Sequence, residues 1–346
     1  MVLARLDVVN FRNFGKTSFS FSPQTSLILG PNTSGKTNIL EAIYLLATGH
    51  SFRAEVEREM ICWGNDVARV RGISEQMELE IVLTMGQIGQ QPVPHKKYLI
   101  NGVSKRMIDF VGNLRTVLFW PEDLELVTNS PSVRRKYLDL VLSQVDREYR
   151  RSLLSYEKGL RQRNRLLERI RDEGAPRSQL LFWNQLLIKN GAVITDKRME
   201  FIEFINSLES RVYSLQFRLA YDKSVISQTR LEQYAEEEVA AGATLVGPHR
   251  DDFKFLLADR NLSLFGSRGE QRLSVLWLKL CELEFISQKT GERPILLLDD
   301  IFSELDQAHR QEVFKIIPQQ QTIITTTDLD FIKKTYQEKL KVVKLG

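Results

Sequence analysis

Residues 30 to 37 read GPNTSGKT, the pattern G-x-x-x-x-G-K-[ST]. The motif sits between a short apolar run, Leu27-Ile28-Leu29, and a stretch whose apolar residues Ile39, Leu40, Ile43 and Leu46 recur at helical spacing. Strand, glycine-rich turn and helix in that order leave few folds open. Gly30 and Gly35 let the loop curl so that its backbone N–H groups face one concavity, with Pro31, Asn32, Thr33 and Ser34 forming the arc. The spacing predicts that Lys36 neutralises the β and γ oxygens of ATP, that the Thr37 hydroxyl ligates Mg2+, and that Asn38 continues the cradle into the helix.

A metal so placed needs a second anchor at the end of a buried strand. The run Ile295-Leu296-Leu297-Leu298 suits a parallel strand covered on both faces, and it ends in Asp299 and Asp300. Asp299 is expected to hold Mg2+ through water, and Asp300 to orient the attacking water. With Lys36, Asp300 is the expected catalytic pair. The plainer reading of a terminal Asp-Asp is a helix cap or a turn.

Alternation at Leu6 and Val8, then Phe19 and Phe21, predicts strands near the start, and "MELEIVLTM" and "YLINGV" continue them to about Trp120, the latter with an Asn101-Gly102 hairpin turn. From Ser132 to "RDEGAP", and again from Ser178 to about Leu215, the period is helical, which fits two antiparallel helices. Strand character returns at "DDFKFLLADRNLSLF". The expected architecture is an α/β head built from both chain ends, residues 1–120 and 242–346, with a helical arm, 121–241, inserted between them.

Charge is unevenly spread. The chain nets +4, yet between Arg134 and Arg171 twelve Lys and Arg face five Asp and Glu. Arg147, Arg151, Lys158, Arg161, Arg165 and Arg169 fall on one side of the first arm helix, opposite Leu138, Leu142, Tyr149, Tyr156 and Leu167. Such a stripe is either a solvated face or a phosphate rail for nucleic acid. No apolar run is long enough to span a membrane, and the first residues lack the pattern of a secretory signal, so a cytoplasmic protein is expected. Cys62 and Cys281 have no partners at ligand spacing and read as core thiols.

"LFGSRGEQRLS", residues 264 to 274, holds a second glycine-flanked turn at a helix start, with no lysine of its own. It is either a helix cap or an anion site that meets a phosphate bound elsewhere. Taken in order, the P-loop, this Ser-x-Gly-Glu turn, the strand with two acids, and "SELD" resemble the heads of ABC and SMC ATPases. Ser267, Gly269 and Glu270 match the SMC form of the signature, with Arg268 in place of its first glycine, and Ser303, Glu304, Leu305 and Asp306 match the D-loop. With "NFRNF", "PEDLELV", "SPSVRRKYLD" and "GPHRDDF" added, the chain resembles the RecF family of bacterial recombination mediators over essentially its whole length.

That resemblance implies an ABC-type P-loop ATPase head with an inserted antiparallel helical arm, the arm being lobe II of the family. It also implies an ATP-induced homodimer that binds gapped, junction and duplex DNA, works with RecR and RecO to place RecA, and hydrolyses ATP slowly under DNA control. By the same resemblance Arg12 and Asn13 lie near the adenine or the phosphates, and the triphosphate of one copy meets Ser267, Gly269 and Glu270 of another. Arg134, Arg135, Arg161 and Arg165 become candidate DNA contacts, and Arg250 a DNA or interface contact, while His249 reads as a structural histidine. Asp300 stands where a Glu is usual, "TTTDLD" where transport ATPases place a switch His, and "FWPEDLELV" offers no Q-loop glutamine. An ATPase-coupled nuclease of the overcoming-lysogenization-defect type is the alternative, and it requires an acidic metal-binding module after the head. A transporter motor is a third reading, and the arm is far too short for a full-length SMC protein.

Overall fold

Two sheets enclose the helix that the glycine loop starts. In the computed structural model, which describes residues 2–208, 215–304, 307–328 and 340–345, the P-loop helix Lys36–Thr48 is buried along nearly its whole length and ends at Gly49, whose φ of 74° supplies the expected left-handed cap. It packs on Val67–Ile73 and Glu78–Thr84 of one sheet and on Ile295–Asp299 and Thr322–Thr326 of the other. The approach is close: a Cβ on Gly72 would lie 2.7 Å from Leu46 Cδ1.

The first sheet has six antiparallel strands in the order Phe14–Ser20, Arg5–Phe11, Val67–Ile73, Glu78–Thr84, Lys96–Ile100, Val103–Lys105. Leu6 pairs with Phe19 and both are buried, as their alternation predicts. Asn101 and Gly102 take φ of 50° and 77° at the hairpin, the signs a type I′ turn requires. The second sheet is parallel, in the order Thr116–Phe119, Ile295–Asp299, Thr322–Thr326, Thr25–Leu29, Lys341–Lys344. Ile295–Asp299 is buried at every position, so its unbroken apolar run reflects cover on both faces. Both sheets belong to a unit formed by Met1–Asp123 and Glu282–Gly346.

A second unit comprises Leu124–Cys281. Helices Pro131–Val145 and Arg147–Glu173 replace the single long helix expected from Ser132, because Asp146 leaves helical geometry and its carboxylate caps the next helix by accepting from the Tyr149 N–H at 2.9 Å. Helix Leu180–Ser207 runs back along Arg147–Glu173. Gly159 and Gly191 sit where a Cβ would come within 2.5 Å of Leu186 and of Ile226. In "DDFKFLLADRNLSLF" only Asp252–Leu257 and Arg260–Asn261 are strand, and the remainder is a short helix, Leu262–Phe265. Strand Asp252–Leu257 pairs with Phe217–Asp222, so residues 242–281, expected with the head, pack with the helices of this unit instead. Among the described residues no helix is long and apolar enough to cross a membrane.

Candidate nucleotide-binding site

The loop after strand Thr25–Leu29 has room only for glycine at two places. A Cβ on Gly30 would lie 2.7 Å from Ser34 Oγ and 3.0 Å from the Leu345 carbonyl, and Gly35, at φ 98°, would drive one to 2.6 Å from the Phe14 ring. Lys36 Nζ donates to the carbonyls of Gly30 and Pro31, both at 2.8 Å, which folds the cation over the loop. Burial pulls its pKa down, opposed by the charges of Asp300 and Asp299. The Ser34 hydroxyl oxygen is buried and has no hydrogen-bond partner among the described residues. An orphaned hydroxyl inside a glycine arc fits a bound phosphate oxygen.

Across the cleft the Thr37 hydroxyl donates to Asp299 Oδ1 at 3.1 Å, and the Thr325 hydroxyl donates to the same oxygen at 2.7 Å. Asp299 is 5% exposed. Burial raises its pKa, while the two threonines, Arg53 and Lys36 act to lower it. The backbone then turns at Asp300, whose φ of 50° is left-handed and whose N–H donates to the Thr325 hydroxyl at 3.1 Å. That turn is how neighbouring acids, which a continuing strand would point to opposite faces, come to line one cleft. Among the described residues no group of three or more His, Cys, Asp or Glu could hold a metal by itself. A hydroxyl and a carboxylate in contact nevertheless suit Mg2+, whose other ligands in such sites are waters and phosphate oxygens.

The cleft holds about 470 Å³ and is lined by Asn13, Asn32, Thr33, Gly35, Lys36, Thr37, Asn38, Arg53, Trp120, Pro121, Glu122, Asp299 and Asp300. Its volume is that of a small-molecule site. Arg53 has no sequence signal, and Trp120, Pro121 and Glu122 belong to "FWPEDLELV", which the sequence marks only as the place of a missing Q-loop glutamine. Arg53 donates to Asn38 Oδ1 at 2.9 Å, and the Trp120 ring stands edge-on to Phe52 at 4.7 Å, so adjacent residues, Phe52 and Arg53, serve the two walls. Asn13 joins the cleft and accepts from the Asn38 amide at 2.8 Å. Arg12 does not line it. Its guanidinium grips the fully buried Glu41 at 2.5 and 2.8 Å and donates to the Glu59 carbonyl, which makes it a brace on the P-loop helix.

In the second unit the turn at Ser267 is a capping box. The Ser267 N–H donates to Glu270 Oε2 at 2.8 Å, and the Ser267 hydroxyl oxygen accepts from the Glu270 N–H at 3.3 Å. Capping uses only a lone pair of that hydroxyl, so its proton is left to be donated elsewhere. Ser267, Arg268 and Gly269 are exposed at the start of helix Arg268–Thr290. Leu305 and Asp306 of the expected D-loop lie outside the described residues.

The basic candidates separate cleanly. Arg134 is buried, held by Asp252 at 2.6 and 3.1 Å and by the carbonyls of Leu126 and Asn129, and Arg135 donates to the Asp251 carbonyl. Arg134 is an internal strut, at odds with its expected role as a DNA contact, whereas Arg135 is only half-buried. Arg161 and Arg165 are exposed, as are Arg147, Arg151, Lys158 and Arg169. The "GPHRDD" stretch is locked from within: Asp251, fully buried, accepts from Arg198 at 2.9 Å, from Tyr221 and from the Ser224 N–H. His249 lies between the Tyr156 hydroxyl, 2.9 Å from Nδ1, and the Thr244 carbonyl, 3.0 Å from Nε2. Burial pushes its pKa down to about 4, so it is a neutral, hydrogen-bonded histidine.

Residues 2–345 match the family model described as RecF/RecN/SMC N terminal domain. Curated relatives include the DNA replication and repair protein RecF of Herpetosiphon aurantiacus, 41% identical over 95% of this chain and 94% of the relative, and that of Ligilactobacillus salivarius, 36% identical over 100% and 96%. Two solved structures of the recombination mediator protein RecF in the RecFOR pathway are similar. The ATP form has TM-score 0.87 and 33% identity over 94% of this chain and 92% of that one, and the ATPrS form 0.86 and 32% over 96% and 94%. The Smc head of Pyrococcus furiosus, at TM-score 0.51 and 18% identity over 96% and 90%, shares the fold.

Proposed function

This chain belongs to the RecF family within the RecF/RecN/SMC ATPases, and from that premise we propose that it is an ATP-driven DNA clamp of recombinational repair. ATP occupies the Lys36 cleft, two copies close on it through Ser267, Gly269 and Glu270, and the closed pair holds gapped, junction or duplex DNA for RecR and RecO to load RecA, in the cytoplasm. The observation that carries this reading is the contact of Thr37 with Asp299 beside a lysine folded over a glycine arc. It supports triphosphate binding at this cleft.

In this scheme Lys36 leaves the Gly30 and Pro31 carbonyls for the β and γ oxygens, and the loop N–H groups and Ser34 hydroxyl complete the cradle. Thr37 and Asp299 would hold Mg2+, which would supply charge neutralisation at the phosphates. Asp300 orients water for attack, and its side chain, one methylene shorter than the usual Glu, accounts for slow turnover used as a release switch. The exposed arginines of helix Arg147–Glu173 serve as phosphate contacts. Sedimentation of the full chain with and without ATP and Mg2+, with gapped DNA added, tests the clamp: a species of twice the mass is expected only with nucleotide, and a monomer under all conditions refutes it.

A further inference from the structure

We propose that Leu264 and Phe265 form an apolar seat by which one copy of this chain closes on the nucleotide-loaded cleft of a second copy. The inference rests on the clamp reading above and names the contact that gives it strength. Leu262–Phe265 is a single helical turn with one side in the core, Leu262 being 1% exposed, while Leu264 and Phe265 are 72% and 68% exposed. Local slack does not explain that display. The Asn261 side chain accepts from the Ser263 N–H at 3.0 Å and the Ser263 hydroxyl at 2.9 Å, the Gly266 N–H donates to the Leu262 carbonyl at 3.1 Å, and the Gln271 amide donates to the same carbonyl at 2.8 Å. A Cβ on Gly266 would sit 2.6 Å from that oxygen. The turn is fixed, and it holds two large apolar side chains in water, as protein interfaces do at their centres.

Charge names the occupant. Just beyond Phe265 and Gly266 come the exposed Ser267, Arg268 and Gly269, where the start of a 23-residue helix and the Arg268 guanidinium add positive charge, the nearby Glu270 carboxylate being paired by Arg260 at 3.1 Å. The complementary surface therefore carries concentrated negative charge beside an apolar rim. The loaded cleft of a second copy has both: polyphosphate on the glycine arc, and Trp120 with Pro121 on the wall, the indole fixed by Phe52. The capping box keeps the Ser267 hydroxyl in place for the anion while Leu264 and Phe265 meet the rim.

The test is sedimentation velocity of the full chain with a non-hydrolysable ATP analogue and Mg2+, comparing wild type, Leu264→Ser, Phe265→Ser and Phe265→Met, with a fluorescent ATP analogue reporting nucleotide affinity. Both serine variants are expected to bind nucleotide as wild type does and to dimerise at least tenfold more weakly, and the methionine variant to dimerise like wild type. A benzophenone side chain in place of Phe265 is expected to crosslink to the tryptic peptide bearing Trp120 of another copy, and only with nucleotide. Serine variants that dimerise normally overturn the seat while leaving the clamp intact, and so does crosslinking to an added single-stranded oligonucleotide instead of protein. A wild type that never dimerises overturns both.

Discussion

Thr37 and Asp299, 262 residues apart in sequence, are joined by a 3.1 Å hydrogen bond, and Thr325 holds the same carboxylate oxygen from the neighbouring strand. The acid is thus positioned by the protein's own hydroxyls. Pre-set geometry of this kind is what phosphoryl transfer depends on, since positioning and charge do most of the work there.

Asp299→Ala removes the acceptor of both threonines and the expected metal contact. Steady-state phosphate release is expected to fall by about two orders of magnitude, comparable to the loss of one pre-organised polar group in other active sites. Asp300→Asn is expected to bind ATP and trap the dimer. A variant that turns over ATP at the wild-type rate would remove Asp300 from the mechanism.

Ser267→Asp separates the two tasks of the signature turn. Aspartate caps helices as well as serine does, so the melting temperature is expected to stay within a few degrees of wild type. A carboxylate facing a triphosphate is repelled, so nucleotide-dependent dimerisation is expected to vanish. Ser267→Ala, by contrast, is expected to lose about 1 kcal/mol of stability along with the cap.

The two kinds of arginine in the second unit predict opposite phenotypes. Arg134→Ala leaves Asp252 without its partner and is expected to destabilise the unit by about 3–5 kcal/mol in denaturant unfolding. The double charge reversal Arg161→Glu with Arg165→Glu is expected to leave stability nearly unchanged and to weaken DNA binding, lowering the slope of log affinity against log salt by about 2. Unchanged affinity at low salt would assign the stripe to solvation alone.

His249 gives a pH dependence with a definite sign. Its native pKa of about 4 lies below the unfolded value of 6.5, so acid favours the unfolded chain, which binds the extra proton. The contribution is fully present above pH 6.5 and is lost as pH falls toward 4, about 3 kcal/mol in all at roughly 1.4 kcal/mol per pH unit. In chemical unfolding at pH 7 and pH 4.5, His249→Gln is expected to flatten that part of the stability profile.

Short-range patterns were readable because their physics is local. The P-loop, the Asn101-Gly102 hairpin and the apolar strand ending in Asp299 each depend on a few adjacent residues. Arg134 could not be read correctly, since its partner Asp252 lies 118 positions away and a basic triplet looks the same whether it faces solvent or a buried carboxylate. Arg12 was displaced from the cleft for a similar reason, its acceptor Glu41 being hidden among the apolar positions of the P-loop helix. Arg53 carries no spacing signal, and Trp120 and Glu122 are marked only as part of a stretch without the expected Q-loop glutamine, for the fold brings these turns to the phosphate loop. The Ser267 turn reads as either a cap or an anion site; the structure shows the cap, and a capping oxygen keeps its proton.

The edge-on packing of Trp120 against Phe52 equips the cleft with its own optical gauge. An indole in the wall senses a change in polarity when polyphosphate and purine enter, so occupancy can be followed by intrinsic emission without a label. Of the four tryptophans in the chain, only this one lines the cleft, with Trp63 almost wholly in water and Trp277 sealed in the interior. A single-tryptophan chain retaining Trp120 would convert each round of loading and release into a change in brightness.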